Sequence, residues 1–395
     1  MVVSLLGLVI SLFAYMLAFP NEHQKRFDIY LALLALHILG AVAFWLQTFE
    51  SAMDAFLYYR DPFGFVRDDP FTDGTHFIVH FVQGVKTNLG GSFFDHFLLF
   101  QCFGMIGMAL LIRSLNEVAA SLGVQVPIIV YLTLFLPGLH FWTAGIGKDG
   151  PMMMAISIAL WSSIHVEKRF PWLALALAIM LAVRPQITPF VMAGIVGSVL
   201  ISKRTTQRLK LALAPLAAVG LVLFMFRAAE SMNMDSLSFE GVSAFIDRQQ
   251  GFSEEYGSGN RLDNQLLPIK VFSLMFRPFW IDAGGMMGYV ASAENTILLF
   301  FCLYLLYNWK VLWELSRNVF VVGYCCIYAP LVIVSLSLVN YNIGLGQRMK
   351  MMAVPAILML VGTIYMYNFV RSRHPRNLAQ PPQEHPGTEA VTAQA

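Results

Sequence analysis

Charge is scarce in this chain: only 13% of its 395 residues are Asp, Glu, Lys or Arg, about half the share of an ordinary soluble domain. That scarcity excludes a conventional solvated surface. The net charge of +2 is spread over many loops, so a nucleic-acid-binding stripe is excluded as well. Cysteine is rare, and Cys102, Cys302, Cys325 and Cys326 all lie within apolar runs. Adjacent Cys325 and Cys326 point different ways on a helix, so neither a disulfide framework nor a CxxC metal site fits. Strand-like alternation over about ten residues is missing, which argues against a barrel. No GxSxG or Walker A order appears, and nothing in the sequence demands a metal or other cofactor.

What is present is apolar length. Hydrophobic residues make up 57% of the chain, the mean hydropathy is +0.63, and the apolar blocks run to about 17–22 residues, enough to cross a hydrocarbon layer of about 30 Å. The expectation is an all-α, polytopic membrane protein. Spans fall near 2–19, 28–48, 94–113, 125–143, 151–165, 171–185, 187–202, 211–227, 286–308, 319–339 and 352–370, about eleven in all. The first begins without a basic leader and reads as a retained span rather than a signal peptide.

Basic residues recur in alternate loops: Lys25 and Arg26; Arg113; Lys168 and Arg169; Lys203, Arg204, Arg208 and Lys210; Lys310 and Arg317; Arg371, Arg373 and Arg376. The positive-inside rule makes these loops cytoplasmic, the N-terminus extracytoplasmic and the C-terminus cytoplasmic. The organisation is then one transmembrane domain over 1–370 and a disordered cytoplasmic tail over 371–395, rich in Pro, Gln, Ala and Thr. Two long loops, 49–93 and 228–285, face outward. The first carries Phe77, Ile78, Phe81, Val82 and Val85 at helical spacing, which predicts an interfacial helix. In the second, Phe276, Phe279 and Trp280 around Arg277–Pro278 suit re-entry at headgroup level.

The cations outside this pattern have no topological role and point to a site. In 135–154, "FLPGLHFWTAGIGKDGPMMM", Lys148 and Asp149 are expected in a turn just before a helix opening at Pro151. Exposed N–H groups beside a Lys make an anion site there; the plain alternative is a tight turn with a snorkelling Lys. In "LAVRPQITPF", Arg184 lies at the outer end of a span and needs a partner if immersed. In "NYNIGLGQRMKMMAVP", Arg348 and Lys350 open the last span, where cations oppose the helix dipole and call for something anionic; a guanidinium can grip phosphate in bidentate fashion. Glu294, inside an apolar segment, is a functional candidate by default, with one of these cations or Arg277 as its mate. Loop carboxylates, Asp69 and Asp73 among them, are general-base candidates. His76 and His80, four apart without HExxH, make a poor metal site.

These stretches, "FLPGLHFWTAGIGKDG", "VRP", "FRPFWIDAGGMMGYVASAENTILLF" and "NIGLGQRMKMMAVP", resemble Wzy-type and EpsG-like bacterial polysaccharide polymerases over residues 135–355. The NxGxxxR…P ending, here Asn342, Gly344, Arg348 and Pro355, carries the resemblance best. It implies a multi-pass glycosyltransferase of the bacterial plasma membrane that joins polyprenyl-diphosphate-linked glycan units at the extracytoplasmic face, alongside other polysaccharide-assembly membrane proteins. It implies diphosphate binding by Arg184 and Arg348; Lys148, Asp149 and Arg277 are expected at the same depth, with Glu294, Asp69 or Asp73 as the catalytic carboxylate. The acidic first loop is more like that of metal-dependent, GT-C-like transferases using a polyprenyl-phosphate sugar, a reading that EDTA sensitivity separates. A transporter or flippase of lipid-linked glycans is the rival of another class.

Overall fold

The computed structural model describes residues 2–20, 25–50, 54–203, 205–231, 234, 238, 240–241, 243–248, 265–339 and 343–373. Among them there is helix and no strand, as the missing alternation required. The tail beyond Arg373, Asn342, Arg204, Arg376 and the acidic stretch 249–264 lie outside the described residues.

Among the described residues, five helices are long and apolar enough to cross a membrane: α2 (Phe27–Glu50), α5 (Phe93–Ser121), α13 (Gly285–Tyr307), α15 (Phe320–Val339) and α17 (Val354–Arg373). Shorter apolar helices accompany them: α1 (Val2–Ala18), α8 (Asp149–Ile164), α9 (Phe170–Val183) and α10 (Thr188–Ile201). Two helices form the middle of the bundle. In α5, 78% of the apolar window is buried in protein, and in α17 it is 72%, whereas α13 is only 28% buried. The outward faces of α1, α2 and α13 present Leu5, Phe13, Leu39, Leu46, Phe300 and Leu306. Apolar surface of that extent is stable against lipid. Helices in lipid gain little by hiding apolar surface from one another, so close approach must supply contact. At the α5–α8 crossing a Cβ on Gly107 would stand 2.8 Å from the Met153 backbone, which is how the two axes come so near.

The expected span over 125–143 is not one helix. It is α6 (Ile128–Leu132) and α7 (Pro137–Thr143), because Pro137 cannot continue a helix begun earlier and takes an opening position instead. The first long loop contains α3 (Asp54–Arg60) and α4 (Gly74–Leu89). Helix α4 forms where the spacing put it, capped by Asp73, whose carboxylate accepts from the N–H groups of Thr75 and His76. Of its predicted stripe, Ile78 and Val82 are buried in the protein, with Val79 beside them, while Phe81 is exposed. The docking point is Gly74, where a Cβ would lie 1.8 Å from the Val183 carbonyl oxygen at the end of α9. Gly74→Ala is therefore expected to cost about 1–3 kcal/mol as an overpacked contact, read as a lower unfolding midpoint of the purified protein.

In the second loop α12 (Leu267–Phe276) forms, with Phe272 against Phe276 and Phe279 at ring separations of 5.2 and 5.7 Å. One element was not anticipated. Lys310 and Arg317, expected in a short loop, belong to α14 (Trp309–Asn318), whose Trp309 and Trp313 are exposed. An amphipathic helix with exposed Trp and flanking cations suits a membrane–water boundary.

The ends of α8 separate two sets of cations. Near its C-terminal end, Arg113 and Arg169 lie over the Trp161 ring, 4.6 and 4.0 Å from its centre, and both pair with Glu117. At its first residue, Asp149, the isolated cations gather. The two positions are twelve residues, about 18 Å, apart along the helix.

Candidate anion site at the helix ends

Three chain breaks bring the site together. Arg184 follows the last residue of α9 and precedes Pro185, and its backbone leaves the helical region (φ −147°, ψ 77°), which a following proline disfavours. Its side chain therefore leaves the helix line. Helix α8 opens at Asp149 with Lys148 as its N-cap, so Pro151 is third in the helix rather than first, and Lys148–Asp149 form the helix entry itself. Arg348 sits near the end of the short helix α16 (Ile343–Met349), which turns through Lys350–Met352 into α17.

Asp149, 6% exposed, is the hub. One carboxylate oxygen accepts from Nη2 of Arg184 at 2.8 Å and the other from Nε of Arg348 at 2.5 Å. Arg348 also donates through Nη1 to Asp54, the first residue of α3, at 3.0 Å. Lys148 donates through Nζ to the Thr75 hydroxyl at 2.9 Å, and Tyr58, 2% exposed, lies within electrostatic reach of both arginines, Asp54 and Asp149. The three cations thus face Asp149 and Asp54, with Asp73 beside Lys148, and Nε of Arg184 is buried with no hydrogen-bond partner among the described residues. On the inner side of Asp149 the packing against Thr143, Met152, Met153, Met351 and Met352 leaves only about 10 Å³, room for about one water. The Asp54 side chain, 56% exposed, forms the open edge.

Desolvation at its half-buried position, and then the nearby Arg184 and Arg348, push Lys148 down to about 8. Lys148 is cationic below that pH and neutral above it. Read as an anion site, the cluster is expected to bind inorganic pyrophosphate less tightly as pH rises through about 8, and Lys148→Gln to remove that step; calorimetric titration across pH 7 to 9.5 checks it. Asp73, beside Lys148, is raised by burial but held lower by bonds from the His76 N–H and ring, so it stays below the ordinary carboxylate range. Burial pushes the Tyr58 hydroxyl up, keeping it neutral.

Other expected site residues lie elsewhere. Arg277 is committed to Asp282 by two bonds of 2.9 Å, and only its carbonyl, accepting from Gln347, touches the segment that carries Arg348. Glu294 belongs to a second buried group: it accepts from the Gly138 N–H and interacts with Lys350, while Lys350 donates to Asn295 and Gln347. Asp69 is exposed and accepts from the Phe71 N–H, shaping its own turn. Asp73 is adjacent to Lys148 but spent as a helix cap. No group of three His, Cys, Asp or Glu among the described residues is arranged around a metal position.

Sequence reading missed Asp54, Tyr58 and Thr75, which meet the hub only because the first loop folds back over α9. It also found no G-x-G-x-x-G, although Gly145–Gly150 spells one. That spacing reads as a dinucleotide fingerprint only after a strand, and here α7 precedes it. No family description, no curated protein and no solved structure matches this chain.

Proposed function

We propose that the chain is a membrane glycosyltransferase that joins polyprenyl-diphosphate-linked glycan units at the extracytoplasmic face of a bacterial plasma membrane. One observation carries this reading: Lys148, Arg184 and Arg348, from distant parts of the sequence, surround one buried carboxylate beside α3. In this reading the chain crosses the membrane about eleven times, with the hub outside and the Arg113–Arg169 end inside.

The chemistry follows from charge. An acceptor hydroxyl attacks the anomeric carbon, the bond from that carbon to the phosphate oxygen breaks, and the lipid diphosphate leaves with added negative charge. Guanidinium and ammonium groups already in place stabilise that charge without reorganising. Asp149 keeps the two guanidiniums aligned between turnovers. The phosphate competes with Asp54 for Arg348, and Asp54, released and partly exposed, takes the hydroxyl proton. Asp69 and Glu294 are outside the step. A single displacement inverts the anomeric centre.

Deletion of the gene in its host should cause single-repeat lipid-linked glycans to accumulate, measured by mass spectrometry of extracted lipids. Absence of accumulation with normal polymer length contradicts the reading. Accumulation confined to the cytoplasmic leaflet supports a flippase instead.

A further inference from the structure

Helix α16 has seven residues, Ile343–Met349, fewer than the roughly 12–15 that a helix needs to hold its shape unaided. Its position must come from bonds to the rest of the protein. Arg348, in its last turn, supplies two of them, to Asp149 and Asp54. Those are the bonds that a bound phosphate would disturb, so something else has to hold the helix meanwhile.

Gln347 faces another way. Successive residues on a helix stand about 100° apart, and the Gln347 side chain is buried while Arg348 reaches the hub. The Gln347 amide nitrogen donates to the Arg277 carbonyl, and its amide oxygen accepts from Nζ of Lys350 at 2.7 Å. Lys350, fully buried, donates also to Oδ1 of Asn295, and Nδ2 of Asn295 donates to the Pro278 carbonyl at 2.9 Å. The chain of bonds thus starts and ends on the neighbouring carbonyls of Arg277 and Pro278. That segment is itself braced: Asp282 accepts two bonds of 2.9 Å from the Arg277 guanidinium and a third, of 3.2 Å, from the Phe279 N–H. An ammonium has donors and no acceptor, so it joins two amide oxygens without adding an unmatched acceptor. That gives a use to a Lys whose burial is otherwise costly.

We infer that Gln347 and Lys350 are positioning residues for Arg348, an assignment that rests on the reading of the hub as a diphosphate site. They fix α16 against the 277–282 turn and α13, so that the Arg348 guanidinium keeps its place when phosphate displaces Asp54. Arg277 and Glu294 then contribute at a remove: Arg277 through its carbonyl, Glu294 by offsetting the charge of Lys350.

The experiment is a double-mutant cycle on the full-length protein in lipid nanodiscs, with inorganic pyrophosphate as ligand and calorimetry as readout. Gln347→Met keeps the length of the side chain and removes both of its bonds. It is expected to weaken binding about tenfold, the loss of one charge-assisted bond, and by less than about twofold in a protein already carrying Arg348→Ala. An equal loss in both backgrounds, or none in either, overturns the assignment. Thermal unfolding without ligand supplies a second cycle. Arg348→Ala should lower the midpoint at least about twice as far in the wild type as in Gln347→Met, because a guanidinium no longer held in place has less contact with Asp149 to lose. Equal drops overturn the assignment. A wild type that does not bind pyrophosphate removes the diphosphate reading, and the unfolding cycle then decides whether Gln347 positions Arg348. Should Gln347→Met fail to fold, Asn295→Ala, which breaks the other bond of Lys350, takes its place in both cycles.

Discussion

Asp149→Ala is expected to destabilise the folded protein by about 3–5 kcal/mol, the cost of leaving buried charges without their counterion. Arg184 and Arg348 are 10% and 17% exposed at the side chain and share this one carboxylate. Arg348 keeps Asp54 at 3.0 Å; Arg184 loses the carboxylate that its Nη2 contacts and already has a buried Nε without a partner among the described residues. The consequence reaches beyond stability. Asp149 ties the end of α9 to the helix before α17, so its removal frees two chain segments at once. Unfolding of the purified protein in mixed detergent micelles, followed by tryptophan fluorescence, measures the loss. A change below about 1 kcal/mol would mean that the two guanidiniums are solvated and that the hub is not a buried network.

Arg348→Ala is expected to act differently: modest loss of stability, large loss of turnover. Here Asp149 retains Arg184 at 2.8 Å, so no buried charge is stranded. On the proposed reading, what disappears is a donor aimed at the leaving diphosphate, and removal of one such donor costs about 10²–10³ in rate. Arg348→Lys should recover only part of it, because an ammonium replaces the charge but not the planar fork that holds two phosphate oxygens. The readout is polymer length together with single-unit lipid intermediates in cells producing equal amounts of each protein. Wild-type polymer from Arg348→Ala would remove Arg348 from the site.

How far the site was legible in the sequence depended on which physical rule each residue broke. Arg184, Lys148 and Arg348 stood out because they fall outside the alternating basic loops, and Arg184 was expected to need a partner if immersed. The structure supplies that partner from within the chain: Asp149, adjacent to Lys148. The anion called for beside Arg348 is likewise protein, Asp149 and Asp54. Arg277 looked equivalent by depth, yet Asp282, five residues on, takes both its bonding arms, a local competition that a depth argument does not weigh. Glu294 was recognisable as a buried carboxylate, but any of several cations could have faced it; the end of α16 presents Arg348 to Asp149, and the Lys350–Met352 turn that follows presents Lys350 to Glu294. Asp54 and Tyr58 carried no signal, being ordinary loop residues until Gly74 lets α4 seat on Val183. The helical class was written in the apolar blocks, whereas the break at Pro137 was visible as a residue type and still read as part of one span.

The central claim is that Lys148, Arg184 and Arg348 hold a diphosphate headgroup. Titration calorimetry of geranylgeranyl diphosphate against the protein in nanodiscs tests it most directly, with Arg184→Lys and Arg348→Lys as variants that keep Asp149 paired. The account predicts saturable binding to the wild type that weakens about tenfold in each variant, the loss of one charge-assisted bond. Binding of equal strength in all three proteins, or none to the wild type, would contradict it.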